Sequence, residues 1–252
     1  MKHFIITGTS RGIGEALAQQ LMSGDHAVYC ISRSTNQQLA QLAQERGFSA
    51  AFISFDLNNV AGIESLFDDI FHGIRSDSEV KGIYMINNAG MLSPVAPIQQ
   101  ISAEAILENA TINLLAPMVT TSNFIKHVQG WATDKRIMNI SSASAKYLLP
   151  SQSCYSTSKA GLDTFSKSIH LEQSGKDHHV RIASVYPGMI DTALQAQIRT
   201  TSKADFPYVE QFVQLAQEGR LQTPEATAKQ LITLLASENF GDSPLIEELQ
   251  SN

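Results

Sequence analysis

Thr7-Gly8-Thr9-Ser10-Arg11-Gly12-Ile13-Gly14 stands between an apolar run at residues 4–7 and an amphipathic stretch at residues 13–21. The stretch carries Ile13, Ala16, Leu17 and Leu21 at helical spacing, so the segment reads as strand, turn, helix. Glycines let such a turn close tightly and bring backbone near a ligand. The helix N-terminus beyond it presents free N–H groups and the positive end of a dipole, a ready site for a pyrophosphate. The spacing is G-x-x-x-G-x-G, different from the G-x-G-x-x-G fingerprint. A glycine-rich turn without a ligand is the competing reading.

Outward from the turn, strand-like and helix-like segments alternate. Strands are expected at residues 27–31, 50–55, 82–86, 136–140 and 180–186, with a seventh within 243–249. Helices are expected at 37–46, 63–74, 103–127 (with Pro117 inside), 155–172 and 224–236. The last opens on Thr223 as N-cap and Pro224 at its first position. Alternation of this kind predicts an α/β, doubly wound Rossmann fold: one parallel sheet of about seven strands with helices on both faces. No repeat or linker divides the chain, so a single domain over 1–252 is expected. Residues 193–222 break the rhythm and are rich in Gln and Thr, which suggests a substrate loop or lid.

Composition narrows the function. The 252 residues carry 18 Lys plus Arg against 24 Asp plus Glu, a formal charge of −6, which argues against nucleic-acid binding. Two cysteines, Cys30 and Cys154, cannot build a disulfide framework, and they suit a reducing cytoplasm. No segment reads as a signal peptide or a membrane span. The seven histidines show no metal-ligand spacing, and His178-His179 reads as a solvated turn, so no metal is expected.

The end of the second strand bears on the cofactor. An NAD site places Asp or Glu about 20 residues after the glycines, to hold the ribose hydroxyls. This chain has Ser32-Arg33-Ser34 there. Arg33, with Arg11 in the glycine turn, suits the 2′-phosphate of NADP(H). The alternative is a solvated surface charge. Asp56-Leu57 ends the third strand, where Asp56 would accept from an adenine amino group or cap the next turn.

Tyr155 and Lys159 are four residues apart on an expected helix and so share a face. A nearby ammonium favours phenolate, which would make Tyr155 a proton donor for a carbonyl under reduction. Alone, such a pair is often mere surface. Here Ser142 follows the fifth strand and Asn87-Asn88-Ala89-Gly90 the fourth, both at strand C-terminal ends where open α/β sheets bind ligands. Cys154 has no evident partner and reads as packing or pocket wall.

With these segments in order, and Pro187-Gly188 after the sixth strand, the chain resembles the short-chain dehydrogenase/reductase family of single-domain type over residues 7–192. Several further segments are similar to the sepiapterin reductase-like branch, and within it to the bacterial benzil reductases. They are 112–118 (INLLAPM), 135–142 (KRIMNISS) and 191–199 (DTALQAQIR). The C-terminus departs from the D-G-G ending of many members. The resemblance implies Tyr155 as general acid in reduction and Lys159 as the group that lowers its pKa and holds the nicotinamide ribose. Ser142 would orient the carbonyl, and Asn113 would complete a tetrad that links Lys159 to solvent through water. Gly8, Ser10, Arg11, Gly12, Ile13, Gly14, Ser32, Arg33, Asp56, Leu57, Asn88, Ala89 and Gly90 would line the cofactor's phosphates and adenosine. Pro187, Gly188, Ile190 and Thr192 would line its nicotinamide. Pro117 lacks the N–H that a continuous helix would direct at the Asn113 carbonyl, leaving that carbonyl for a water.

The function expected is an NADPH-dependent carbonyl reductase acting on a vicinal diketone or similar small ketone. The partners implied are the small-molecule carbonyl substrate and a second copy of the chain, as homodimer or homotetramer; no nucleic acid and no membrane is expected. The alternatives are a sepiapterin or 3-oxoacyl thioester reductase, and a module that senses NADP(H) without turnover.

Overall fold

Residues 1–249 are described by the computed structural model. The strands are β1 (Lys2–Thr7), β2 (His26–Ser32), β3 (Ser49–Ser54), β4 (Gly82–Asn87), β5 (Asp134–Ile140), β6 (Arg181–Val185) and β7 (Leu245–Ile246). They form one seven-stranded sheet in the order β3-β2-β1-β4-β5-β6-β7. Every pairing is parallel, for example Thr7 opposite Ile31 and Ile6 opposite Ile86. The seventh strand is shorter than the span 243–249 allowed. Pro244 has no N–H to donate, and its carbonyl accepts instead from the Ser184 N–H at 2.9 Å.

The helices are α1 (Gly12–Leu21), α2 (Gln37–Arg46), α3 (Ile63–Arg75), α4 (Ala103–Ala110), α5 (Ala116–Val128), α6 (Ser153–Gln173), α7 (Ala193–Thr200), α8 (Val209–Gln217) and α9 (Pro224–Ala236). The two-residue period of a strand divides the core between the sheet faces. Phe4 and Ile6 of β1, with Tyr84 and Ile86 of β4, join α1, α2 and α9. Ile5, Ile83 and Met85 point the other way, onto α3 and α5. α3 supplies Ile63, Leu66, Phe67, Ile70, Phe71 and Ile74, a complete helical stripe, all buried. Thr223 caps α9 as expected, its hydroxyl accepting from the Ala226 N–H at 3.2 Å.

One expectation is corrected. Residues 103–127 are not one helix, because Thr111–Leu115 widens into a π turn between α4 and α5. The Ala116 N–H reaches back to the Thr111 carbonyl, five residues away, just where Pro117 interrupts the four-residue ladder. Such turns often mark functional sites, and this one carries Asn113.

Strand order reverses between β1 and β4, the chain running out to β3 on one side and to β7 on the other. Their C-terminal ends therefore open a crevice, the place where such sheets bind ligands.

Candidate active site

The cleft above the sheet has a volume of about 1200 Å³ and runs from the glycine turn to α8. Gly8 has φ +76°, and a Cβ there would lie 2.8 Å from the Ala89 Cα. A Cβ on Gly14 would fall on the Gly8 carbonyl. Both positions need glycine, one for conformation as well as space and one for space. Asn88 stitches the turn to β4. Its Nδ2 donates to the carbonyls of Thr7 (2.9 Å) and Gly8 (3.2 Å). The Thr7 hydroxyl accepts from the N–H groups of Asn88 and Ala89, each at 3.0 Å.

The N-cap of α1 is Arg11, in extended backbone, and no side chain caps the helix. Ser10, Arg11, Gly12 and Ile13 line the cleft, so this uncapped helix start faces it. Across the gap Thr192 stands 3.6 Å from where a Gly12 Cβ would be. A glycine-lined cradle before a free helix N-terminus fits a dinucleotide pyrophosphate.

Ser32, Arg33, Asp56 and Leu57 line the same end. Arg11 and Arg33 are exposed and form no ion pair among the described residues. Asp56 takes the turn-capping alternative, its Oδ1 accepting from the Asn58 N–H at 3.0 Å. An exposed carboxylate has lone pairs to spare for a second donor.

At the other end, β5 delivers Ser142 and α6 delivers Tyr155 and Lys159, all lining the cleft. Ser142 caps the short turn after β5, its hydroxyl accepting from the Ser144 N–H at 3.1 Å. The Lys159 Nζ donates to the Ile140 carbonyl at 2.7 Å and lies 5.7 Å from the centre of the Tyr155 ring. Burial pushes the Lys159 ammonium down to about 8, against the pull of Asp163 one turn further along the helix. Burial also raises the Tyr155 phenol, and the neighbouring Ser142 hydroxyl only partly offsets this. The expected lowering of Tyr155 by Lys159 is therefore not the balance in this structure. At Tyr155 desolvation outweighs the Ser142 hydrogen bond, at Lys159 it outweighs the Asp163 charge, and the ammonium is turned towards a backbone carbonyl.

Asn113 is fully buried, and its side chain grips both backbone groups of Met91. Its Nδ2 donates to the Met91 carbonyl at 2.8 Å, and its Oδ1 accepts from the Met91 N–H at 3.0 Å. A Cβ on Gly90 would come within 3.1 Å of that Oδ1 and 3.6 Å of the Lys159 Nζ, so only glycine passes between them easily.

Sequence reasoning missed Asn109, one turn earlier. Its Nδ2 donates to the Ser93 carbonyl at 2.7 Å, and its Oδ1 accepts from the Ser158 hydroxyl at 3.0 Å. Its spacing of four from Asn113 was a usable signal. It missed Asp163 as well, a buried carboxylate that accepts from the Ser184 hydroxyl (2.6 Å) and the Tyr186 hydroxyl (2.7 Å).

Pro187, Gly188, Ile190 and Thr192 form the remaining wall. Ile190 pairs with Gln222, which closes residues 193–222 into an excursion returning to its starting point. That excursion packs Ile198, Phe206 and Val209 against Leu92 and Tyr155. Gln197 of α7 donates to the Ser93 hydroxyl at 2.5 Å. Cys154 is half-buried and free; Cys30 is buried, and burial pushes its thiol up to about 12, a poor nucleophile. Among the described residues no helix is long and apolar enough to cross a membrane, and no cluster of His, Cys, Asp or Glu could hold a metal.

Comparison with known proteins supplies the context. The profile of the short chain dehydrogenase family matches residues 2–203. A benzil reductase ((S)-benzoin forming) of Bacillus cereus is 42% identical over 98% of each chain. A second such enzyme, from Bacillus subtilis strain 168, is 35% identical over 93% of each. A sepiapterin reductase of Rattus norvegicus is 28% identical over 94% of this chain and 92% of its own. Among solved structures, the KRED1-Pglu enzyme superposes with a TM-score of 0.82 at 22% identity, covering 98% of this chain and all of its own, 100%. At that identity the likeness concerns the fold.

Proposed function

The chain belongs to the short chain dehydrogenase family, an oxidoreductase family that uses nicotinamide cofactors, and on that premise we propose that it is an NADPH-dependent carbonyl reductase. Its substrate in this reading is a vicinal diketone, reduced to the hydroxyketone. The observation that carries the proposal is the meeting of Ser142, Tyr155 and Lys159 at one end of a cleft whose other end is an uncapped, glycine-lined helix start.

The roles follow from the positions. The first turn of α1 holds the pyrophosphate, and Arg33 with Arg11 clasps the 2′-phosphate. Asp56 and Asn88 to Gly90 border the adenosine, and Ile190 and Thr192 the nicotinamide. When bound, the reduced nicotinamide supplies the hydride. Ser142 donates to the substrate carbonyl oxygen and orients it. Tyr155, a phenol that is protonated at neutral pH and whose pKa burial raises further, gives that oxygen its proton. Lys159 carries charge beside the phenol and resupplies the proton through a water held at the Asn113 carbonyl. Residues 193–222 close over the substrate and exclude solvent. The likeness to enzymes named for benzil reduction supports the diketone.

A second copy of the chain completes the molecule in this reading. The outer side of α6 carries a groove of about 630 Å³, lined by Leu148, Ser156, Ala160 and Gly161 among others. Leu107 and Leu148 are exposed, at 64% and 72%, which suits helix-to-helix pairing between copies. Free thiols fit a cytoplasmic enzyme.

The test is oxidation of NADPH, and separately of NADH, against benzil, other vicinal diketones, sepiapterin and a 3-oxoacyl thioester, with Tyr155→Phe alongside. Diketone turnover with NADPH preferred and lost in Tyr155→Phe is expected. Turnover of the thioester alone would move the enzyme to another branch. Tight NADPH binding without turnover would favour a sensing module, and unchanged turnover in Tyr155→Phe would refute the acid assignment.

A further inference from the structure

Two carboxamides in the cleft take no part in the chemistry above. Gln152 is 1% exposed, and its Nε2 has no hydrogen-bond partner among the described residues. Gln195 is 6% exposed, and neither its Nε2 nor its Oε1 has one. Both residues line the cleft with Ser142 and Tyr155.

Their places in the fold put them at the substrate end. Gln152 immediately precedes α6 and stands three residues before Tyr155. Its own carbonyl accepts from the Ser156 N–H at 2.8 Å, so its backbone is anchored. Gln195 lies on α7 beside Leu194, which packs into the apolar cluster containing Tyr155. Gln197 ties the same helix to Ser93. The other walls nearby, Leu92, Leu149 and Phe212, are apolar.

Buried amide groups in folded proteins are almost always hydrogen-bonded, because leaving them unpaired costs their full desolvation. Packing alone would be served better by leucine. Two unpartnered carboxamides sit buried at the wall of one cleft, on different elements, and a side-chain rotation into the cleft would pair them with an oxygen of the ligand.

We infer that Gln152 and Gln195 recognise the oxygen that the reaction leaves untouched, the second carbonyl oxygen of a 1,2-dicarbonyl substrate. This rests on the reductase reading and deepens it. A carbonyl oxygen only accepts hydrogen bonds, and the amide N–H groups of both glutamines are free to donate. One carbonyl is thereby assigned to Ser142 and Tyr155 and the other to the glutamines. The pair selects dicarbonyls over plain ketones and keeps the product at the hydroxyketone stage, since the remaining carbonyl is held away from Tyr155.

The test compares benzil with deoxybenzoin, which has the same carbon skeleton and one oxygen fewer. The proteins are wild type, Gln152→Leu, Gln195→Leu and the double variant. The readouts are kcat, KM and the NADPH dissociation constant. Each single variant is expected to lose roughly tenfold in kcat/KM for benzil, mostly through KM. Deoxybenzoin turnover and NADPH affinity are expected to stay within about threefold, since neither contact is lost. Where a leucine variant fails to fold, Gln152→Met and Gln195→Met keep an unbranched side chain of similar length, remove the N–H donors without adding charge and are expected to show the same selective loss.

Equal losses on both ketones, as a structural role or a buried water would give, overturn the inference. So does no loss, or a weakened NADPH affinity in Gln195→Leu, which would assign that amide to the cofactor. A wild type that reduces deoxybenzoin as well as benzil overturns the inference and leaves the reductase reading standing. A wild type inactive on both overturns the diketone reading along with it.

Discussion

Replacing Asn113 with alanine separates two roles that one side chain can hold. The carboxamide makes two hydrogen bonds to Met91, at 2.8 and 3.0 Å, from a fully buried position. Each is worth about 1 kcal/mol net, and the Met91 groups left behind add a desolvation cost, so the loss comes to about 2–4 kcal/mol. For a chain of this length that is roughly 5–12 °C in Tm. Met91 adjoins Gly90, which fits between the Asn113 Oδ1 and the Lys159 Nζ, so the released loop moves against the ammonium. A fall in kcat of roughly tenfold to a hundredfold is expected from misplacement of this kind. The assay is thermal unfolding at one fixed protein concentration, because association would shift Tm by mass action, with steady-state reduction measured on the same samples. A Tm within about 1 °C of wild type with kcat collapsed would refute the clamp. The carboxamide would then serve turnover directly rather than by holding Met91.

Gly14→Ala places a Cβ on the Gly8 carbonyl and the Asn88 amide, so NADPH affinity should fall at least about tenfold, or the protein should fail to fold; titration of NADPH fluorescence checks it. Arg33→Ala should raise the KM for NADPH by roughly tenfold to a hundredfold and leave NADH unchanged, and equal effects on both would remove Arg33 from the 2′-phosphate. His3 is buried, and burial holds its pKa below 6.5 despite a 3.0 Å contact with Asp77. The unfolded chain therefore takes up that proton first as pH falls, so the stability His3 contributes is complete above pH 6.5 and is lost below it. His3→Gln should flatten the stability profile below pH 6.5 by up to about 1.4 kcal/mol per pH unit, read from urea midpoints, and an unchanged slope would show that His3 does not titrate with folding.

Much of this protein is legible in one dimension because the features involved are local. The glycine turn needs only its own residues to demand a sharp path, and Tyr155 with Lys159 needs only a helix to share a face. The alternation of apolar runs set the sheet and its layers, and Thr223-Pro224 announced the start of α9. Other features depend on residues that meet only on folding. Asn113 finds Met91 22 positions away, and Gln197 finds Ser93 104 positions away. The π turn is a compromise between a proline and the packing of α4 and α5, which no helical period encodes. The rise of the Tyr155 pKa reflects burial, a property of the whole cleft, and burial outweighs the hydrogen bond with the neighbouring Ser142. The chain by itself thus determined the parallel sheet, the sharp glycine turn and the shared helix face of Tyr155 and Lys159, because short-range geometry and hydrophobic period suffice for those. Tertiary structure alone decided which amides are buried without partners, which loops are clamped and which way the proton donor's pKa moves, because desolvation exists only once the cleft has closed around them.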